Sequence, residues 1–413
     1  MISEIQIENF KSIAKLSLKP GSVTVLIGEN GSGKSNILEA IGFAAAATAG
    51  KLDDEFLHTR GIRVTEHEWM LSKFVTKHPL LGKGELVDAP ISFQIENTNG
   101  VDPLRIRVSR AMGARVLPGM AWHVNPELDP TEVDVELDTS DFLRELEIFR
   151  TTVPNVRNVD PKILEMLARK MVAQRLAAGR KRKKLPAIAA ILGLRDFLIY
   201  SPENTALRKF EDEGAIKPLG TKGEGLLKLL SDTAAVGNGK FTAELKSLLG
   251  LLGWFDDLRL PTEEDEIRGR LRIHDRWLPA DAPLFDQRSA NEGFLYMLFY
   301  FTLFLSKATP QFFAIDNIDN ALNPKLCAEL MRHLAALSEK TGKQVICTTH
   351  NPAILDGLNL HDDKQRLYVV RRNSEGHTIV NRVNAPRPRP DGPPVKLSTA
   401  FMSGLLGGLP DHF

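Results

Sequence analysis

The chain is nearly without cysteine. Only Cys327 and Cys347 occur among 413 residues, and their spacing fits neither a disulfide framework nor a thiolate metal site. That suits a reducing compartment, so a cytoplasmic location is expected. Net charge is also missing, because 53 Lys plus Arg nearly balance 52 Asp plus Glu. The chain as a whole is no polycation, and any affinity for nucleic acid must come from a local patch. Long apolar runs are absent too. The most apolar stretch, FLYMLFYFTLFL at 294–305, falls short of the roughly 20 residues a bilayer span needs. It reads as a deeply buried helix, and no membrane partner is expected. The opening MISEIQIENF alternates like a strand and lacks the apolar core of a signal peptide. No internal repeat is visible, and the middle of the chain is too short and too interrupted by proline for a long coiled coil.

What is present is the composition of an ordinary soluble protein, 43% hydrophobic and 25% charged, long enough for two or three domains. Residues 1–138 are rich in alternating, strand-like segments, including a hairpin pattern at 91–95 and 104–108 around Asn97-Thr98-Asn99-Gly100. Residues 139–254 read as mostly helical, an insertion. Residues 255–384 alternate helix and strand, which argues for parallel pairing with crossovers. The segment APRPRPDGPP begins a stiff linker, and the apolar, glycine-rich end of 385–413 is expected to dock on the body or on a partner.

The strongest local signal is GENGSGKS: Gly28, Glu29, Asn30, Gly31, Ser32, Gly33, Lys34 and Ser35. It follows the alternating run Val23, Val25, Ile27 and precedes a helical pattern opened by Asn36. Strand, glycine loop, then helix is the context in which G-x-x-x-x-G-K-[ST] cradles phosphates on successive N–H groups. Lys34 would reach the terminal phosphates of a nucleoside triphosphate, and the Ser35 hydroxyl would ligate Mg²⁺. Far downstream, the apolar run Phe312, Phe313, Ala314, Ile315 leads into Asp316. That is the shape of a buried strand ending in a carboxylate for the magnesium shell. A further strand ends at Thr348-Thr349-His350.

With these motifs in hand, the chain resembles an ABC-class ATPase head of the RecF, SMC and overcoming-lysogenization-defect (OLD) type. IQIENFKSI and VTVLIGENGSGKSNILEAI match the start of those proteins, ALNPKL their D-loop, and TTHNP their switch histidine; IYSPENTALRKF and LGTKGEGLLKLL resemble an insert of single-chain bacterial members. The resemblance implies an α/β fold: a P-loop head with a mixed sheet, an antiparallel β lobe and a helical insertion. It implies that His350 contacts the γ-phosphate and that Lys11 lies over the nucleotide base or phosphates. It assigns the signature loop to RSANEG at 288–293, with Ser289 and Gly293 before a helix, although the usual glycine pair is incomplete. Ser289 and that helix would then face the nucleotide of another subunit, so a self-associated ATP sandwich is implied.

One departure matters for chemistry. The family usually carries Glu after the magnesium Asp; this chain has Asn317. An amide cannot take a proton from water, only orient it. Three outcomes are compatible with this: slow hydrolysis with the protein acting as an ATP-bound switch, which we favour; Asp319 as a substitute base; or a group supplied by a partner.

Residues 180–184 form an unbroken basic run, Arg180, Lys181, Arg182, Lys183 and Lys184. Such a cluster suits salt-dependent, sequence-independent contact with DNA, or a solvated loop, or an acidic partner. Two functions are expected to compete. In the first, the protein is a sensor-regulator of phage defence, like ATPases of the OLD, Septu and PARIS type. It would control a nuclease or toxin in trans, since few residues follow His350. In the second, it is a RecF-like DNA clamp.

Overall fold

Alternation in the first residues sets the first sheet. β1 (Ile2–Phe10) and β2 (Ile13–Leu18) form a hairpin that registers Ile5 with Leu18 and Ile7 with Leu16. β3 (Val23–Ile27) follows and is buried along its whole length. Our computed structural model describes residues 1–72, 90–98, 100, 103–110, 122–126, 184–210, 218–236, 239–260, 270–279, 281–385 and 396–409. β4 (Ile91–Asn97), β5 (Leu104–Arg110) and β6 (Trp122–Pro126) complete an antiparallel sheet of order β2-β1-β4-β5-β6. The expected 91–95/104–108 hairpin is the β4–β5 pair, with Ile91 opposite Val108.

The central sheet is built differently. β3 is flanked by β12 (Gln344–Thr349) and β13 (Gln365–Arg372), and the order is β14-β13-β3-β12-β11-β7. β7 is Ile199–Tyr200, β11 is Phe312–Ile315 and β14 is Thr378–Val383. Every neighbour pair is parallel except β13–β14. Sheets of this kind are covered on both faces, so their strands read as continuous apolar runs. Successive residues go to opposite faces: Val25 and Phe313 belong to one core, Leu26 and Phe312 to the other.

Five helices are the longest among the described residues. On one face lies α1 (Lys34–Ala49), an alanine-rich helix against the antiparallel sheet. On the other lie α2 (Leu226–Val236), α3 (Lys240–Leu249), α4 (Glu292–Leu305) and α5 (Pro324–Thr341). α4 is the expected buried helix. From Phe294 to Phe304 all its residues are buried, held between α2, α3 and α5. Full burial of each Leu or Phe there contributes about 1.5–3 kcal/mol. Asn291 caps its first turn through Phe294 N–H at 2.8 Å. A small sheet of β8 (Phe255–Arg259), β9 (Arg272–Asp275) and β10 (Phe285–Asp286) precedes α4.

The structure alters the sequence picture in one place. Ile199–Tyr200, read as part of the helical insertion 139–254, is the edge strand of the central sheet. It pairs with the strand that ends at Asp316, Ile315 opposite Tyr200. Its length, two residues, gives no periodicity to read. α2 and α3, from the same stretch, also pack on α4. Leu397 and Phe401 join the core, and Ser398 Oγ donates to Asp356 at 2.7 Å. After the helix over 397–402, a Cβ on Gly408 would lie 3.7 Å from Gly28 Cα, so Gly408 sits beside the glycine loop.

Candidate functional site

Parallel order places the C-terminal ends of β3, β11 and β12 side by side, where ligand crevices of open α/β sheets lie. From β3 the chain enters the glycine loop. Gly33 has φ 106°, a conformation side chains avoid, and a Cβ there would sit 2.0 Å from Thr378 Oγ1. Gly31, at φ 77°, faces open space. The loop is backed by the β13–β14 hairpin: Arg372 Nε donates to Gly31 O at 2.9 Å, and Thr378 Oγ1 to Ser32 O at 2.9 Å. α1 begins at Lys34, and its first internal bond is Ile37 N–H to Gly33 O. The amides of its first turn therefore point out of the helix, a ready anion cradle. Glu29 and Asn30 lie on the loop's half-buried to exposed rim.

Lys34 is buried, and its ammonium donates to Gly28 O and Glu29 O, both at 2.9 Å. Burial lowers its pKa to about 8, while Asp316, Glu29 and Asp319 pull the other way. Ser35 Oγ donates to Asp316 Oδ2 at 3.1 Å. Asp316 also accepts a short hydrogen bond from Thr348, and Thr348 Oγ1 accepts the Asn317 N–H at 2.9 Å. Asn317 turns the chain with φ 54°. Asp319 accepts from Thr349 Oγ1 at 2.6 Å. His350 follows β12 directly and is exposed. Its pKa is lowered by partial burial and by the Lys34 ammonium, against the pull of Asp319 and Asp316.

These residues fit a magnesium nucleotide. The glycine cradle, the outward amides and a lysine held only on loop carbonyls suit a triphosphate. A hydroxyl within 3.1 Å of a carboxylate, on separate elements, suits a cation completed by phosphate oxygens and water. Among the described residues no group of three His, Cys, Asp or Glu side chains forms a metal site of its own.

Other expected residues are placed as follows. Lys11 pairs with buried Glu39 at 2.6 Å, and Arg63 pairs with the same carboxylate. Lys11, Asn36, Arg63, Trp69 and Arg372 line a cavity of about 410 Å³ beside the start of α1. Asn36 Nδ2 donates to Ser12 Oγ at 2.7 Å. Ser289 is exposed in the turn after β10, and Gly293 is in the first turn of α4. Arg180, Lys181, Arg182 and Lys183 lie outside the described residues; Lys184 opens a helix over 184–191. Thr348, Arg372 and Thr378 join the site without a signal of their own in the sequence: Thr348 lies in the Thr348-Thr349-His350 strand end, whereas Arg372 and Thr378 reach the loop only through sheet order.

Comparison with known proteins gives partial family matches, short related segments and a shared fold. The family model described as "AAA ATPase domain" matches residues 1–76. The one described as "AAA domain, putative AbiEii toxin, Type IV TA system" matches residues 258–356. The chain is similar to the chromosome partition protein Smc of Methanocaldococcus jannaschii, 49% identical over 51 residues, 12% of this chain and 4% of that one. It is similar to the OLD nuclease of Thermus scotoductus, 27% identical over 136 residues, 28% of this chain and 26% of that one. These matches span a small part of either relative. In fold it resembles a crystal structure of an Smc head bound to the C-winged helix domain of ScpA, with TM-score 0.53 and 16% identity over 93% of this chain and 98% of that one.

Proposed function

We infer that this chain, an ABC-class ATPase of the RecF, SMC and OLD type, uses ATP mainly as a signal. The reading rests on one observation: where a carboxylate base would follow Asp316, Asn317 stands in a tight turn fixed by Thr348. Phosphates would lie on the amides of 31–36 with Lys34 against the terminal one, and the base would enter the cavity beside Lys11 and Trp69. Ser35 and Asp316 would hold Mg²⁺, which when bound neutralises phosphate charge. Asn317 can orient water through its carbonyl but cannot accept its proton. Slow hydrolysis would prolong the ATP-bound form. Exposed Ser289 and the α4 N-terminus would close on the nucleotide of a second copy, making ATP an assembly signal. Single-turnover hydrolysis tests the switch: Asn317→Glu should accelerate it, Asp319→Ala should not slow it further. A fast wild type insensitive to both changes rejects the reading.

A setting in anti-phage defence, with a nuclease or toxin effector in trans, is supported by the resemblance to OLD-type ATPases and by the toxin–antitoxin name of one matching family model. Co-purification of a neighbouring gene product is expected; full activity of the isolated chain would count against it. The second reading, a RecF-like DNA clamp, is favoured by the basic run at 180–184. Charge reversal there should abolish DNA binding and its salt dependence in a clamp, while sparing an effector-controlling switch.

A further inference from the structure

The turn that carries Ser289 is held from behind by one side chain. Arg208 donates Nη1 to Gln287 O at 2.6 Å and to Arg288 O at 2.7 Å, and Nη2 to Ala290 O at 2.9 Å. Its Nε donates to Asn204 Oδ1 at 2.8 Å. Four hydrogen bonds therefore leave a single guanidinium, and three of them end on carbonyls that bracket Ser289 on both sides. A planar fork with five fixed donors is suited to this, and a lysine is not.

The clamp is itself braced. Asn204 Nδ2 donates to Glu292 Oε1 at 2.7 Å, in the first turn of α4. Ala206 and Leu207, just before Arg208, are buried, and Leu207 lies against Gly223 so closely that a Cβ there would meet it at 2.4 Å. Ser201 N–H donates to Thr221 O and Glu203 N–H to Lys222 O, tying the segment down at its start. The same segment leaves β7, whose Tyr200 O accepts the Asp316 N–H at 2.8 Å. Arg208 thus stands on a base fixed to the strand that carries Asp316, and its head reaches across to the Ser289 turn.

The clamp does more than fill a structural need. Arg288 and Ser289 are exposed, so water could replace the donor at Arg288 O, whereas the carbonyls of buried Gln287 and Ala290 would lose a partly buried donor at some cost to the fold. What water cannot do is fix the direction of Ser289. We propose that Arg208 is a positioning residue, which sets the Ser289 turn in the geometry needed to meet the triphosphate bound by a second copy of this chain. The proposal rests on the sandwich reading above. The four hydrogen bonds of Arg208 end on Asn204, Gln287, Arg288 and Ala290, none of them in the glycine loop or at Asp316, so its removal should leave ATP binding by the lone chain intact and weaken only ATP-dependent association.

The test uses the full chain with Mg-ATP. Fluorescent-ATP titration at low protein concentration reads binding by the monomer, light scattering reads association, and a melting curve reads the fold. Arg208→Ala should bind nucleotide like the wild type, still melt cooperatively though at a lower temperature, and need about tenfold or more protein to associate. Arg208→Lys should fall between, and added ethylguanidinium should restore association to the Ala variant. Ser289→Arg, which fills the contact itself, separates the two ideas. If Ser289→Arg associates with ATP as the wild type does, the sandwich reading fails. If Ser289→Arg is blocked while Arg208→Ala associates normally, Arg208 is idle and the proposal is overturned. Loss of monomer nucleotide binding in Arg208→Ala would also overturn it. Should the Ala variant fail to fold, Arg208→Lys carries the test: wild-type association in it overturns the proposal.

Discussion

Ser35 Oγ donates to Asp316 Oδ2 at 3.1 Å across 281 residues of sequence. One end of this contact is the first turn of α1 and the other the end of β11, and only sheet order brings them together. If the pair holds Mg²⁺, Asp316→Asn keeps the size of the side chain and removes the charge the cation needs. Magnesium should then no longer strengthen ATP binding, a loss of roughly tenfold or more. Titrating ATP with and without Mg²⁺ checks this; a variant that keeps the wild-type magnesium response rules out the pair as a cation site.

The pKa of Lys34 has a sign that can be tested. Burial depresses it to about 8 in the nucleotide-free chain, and a bound triphosphate would raise it. Binding then takes up a proton at any pH between these two values. ATP affinity should be full below pH 8 and fall as pH rises beyond it, by up to about tenfold per pH unit. The terminal phosphate is already ionised in that window and adds nothing to the slope. Calorimetry at pH 7 and pH 9 in buffers of different ionisation heat should show proton uptake only at the higher pH. Flat affinity across this range would contradict the placement of the ammonium on the phosphates.

How much of this was legible in the sequence depended on range. The glycine loop, the run into Asp316 and helix α4 are local patterns, and each folds where its spacing implied. Position across the sheet was not local. Nothing in the sequence around Arg372 or Thr378 says that a hairpin after β12 backs the glycine loop. β7 is too short to show a period, so its place beside Asp316 was invisible, and with it the base on which Arg208 stands. Lys11 is a further case of range: its partner Glu39 stands 28 residues away in sequence, and nothing beside Lys11 announces the pair.

Gly33 offers a stability test of the loop alone. Its φ of 106° and the 2.0 Å from a built Cβ to Thr378 Oγ1 act independently. Gly33→Ala should cost about 1–3 kcal/mol and abolish ATP binding. Pairing it with Thr378→Ala removes the collision but not the backbone strain, so thermal stability should return in part and nucleotide binding should not. Full recovery of both in the double variant would mean that the left-handed backbone is dispensable.

The C-terminal end of α4 carries the last prediction. Lys343, only 1% exposed, donates to Leu303 O and Ser306 O, each at 2.7 Å, and makes a short hydrogen bond to Thr309 Oγ1. Thr309 Oγ1 in turn donates to Leu303 O at 2.7 Å and Ser306 O at 2.9 Å. Two donors thus share the same two carbonyls at the end of the helix that begins beside Ser289, where a cation is also favoured by the helix dipole. Lys343→Met and Thr309→Val should each cost about 1–2 kcal/mol, because the other donor still serves those oxygens. Removing both leaves two buried carbonyls without these donors, so the double variant should lose more than the sum of the singles. Urea unfolding of the four proteins measures the coupling. Strict additivity would show that the two side chains act at separate acceptors, contrary to the geometry.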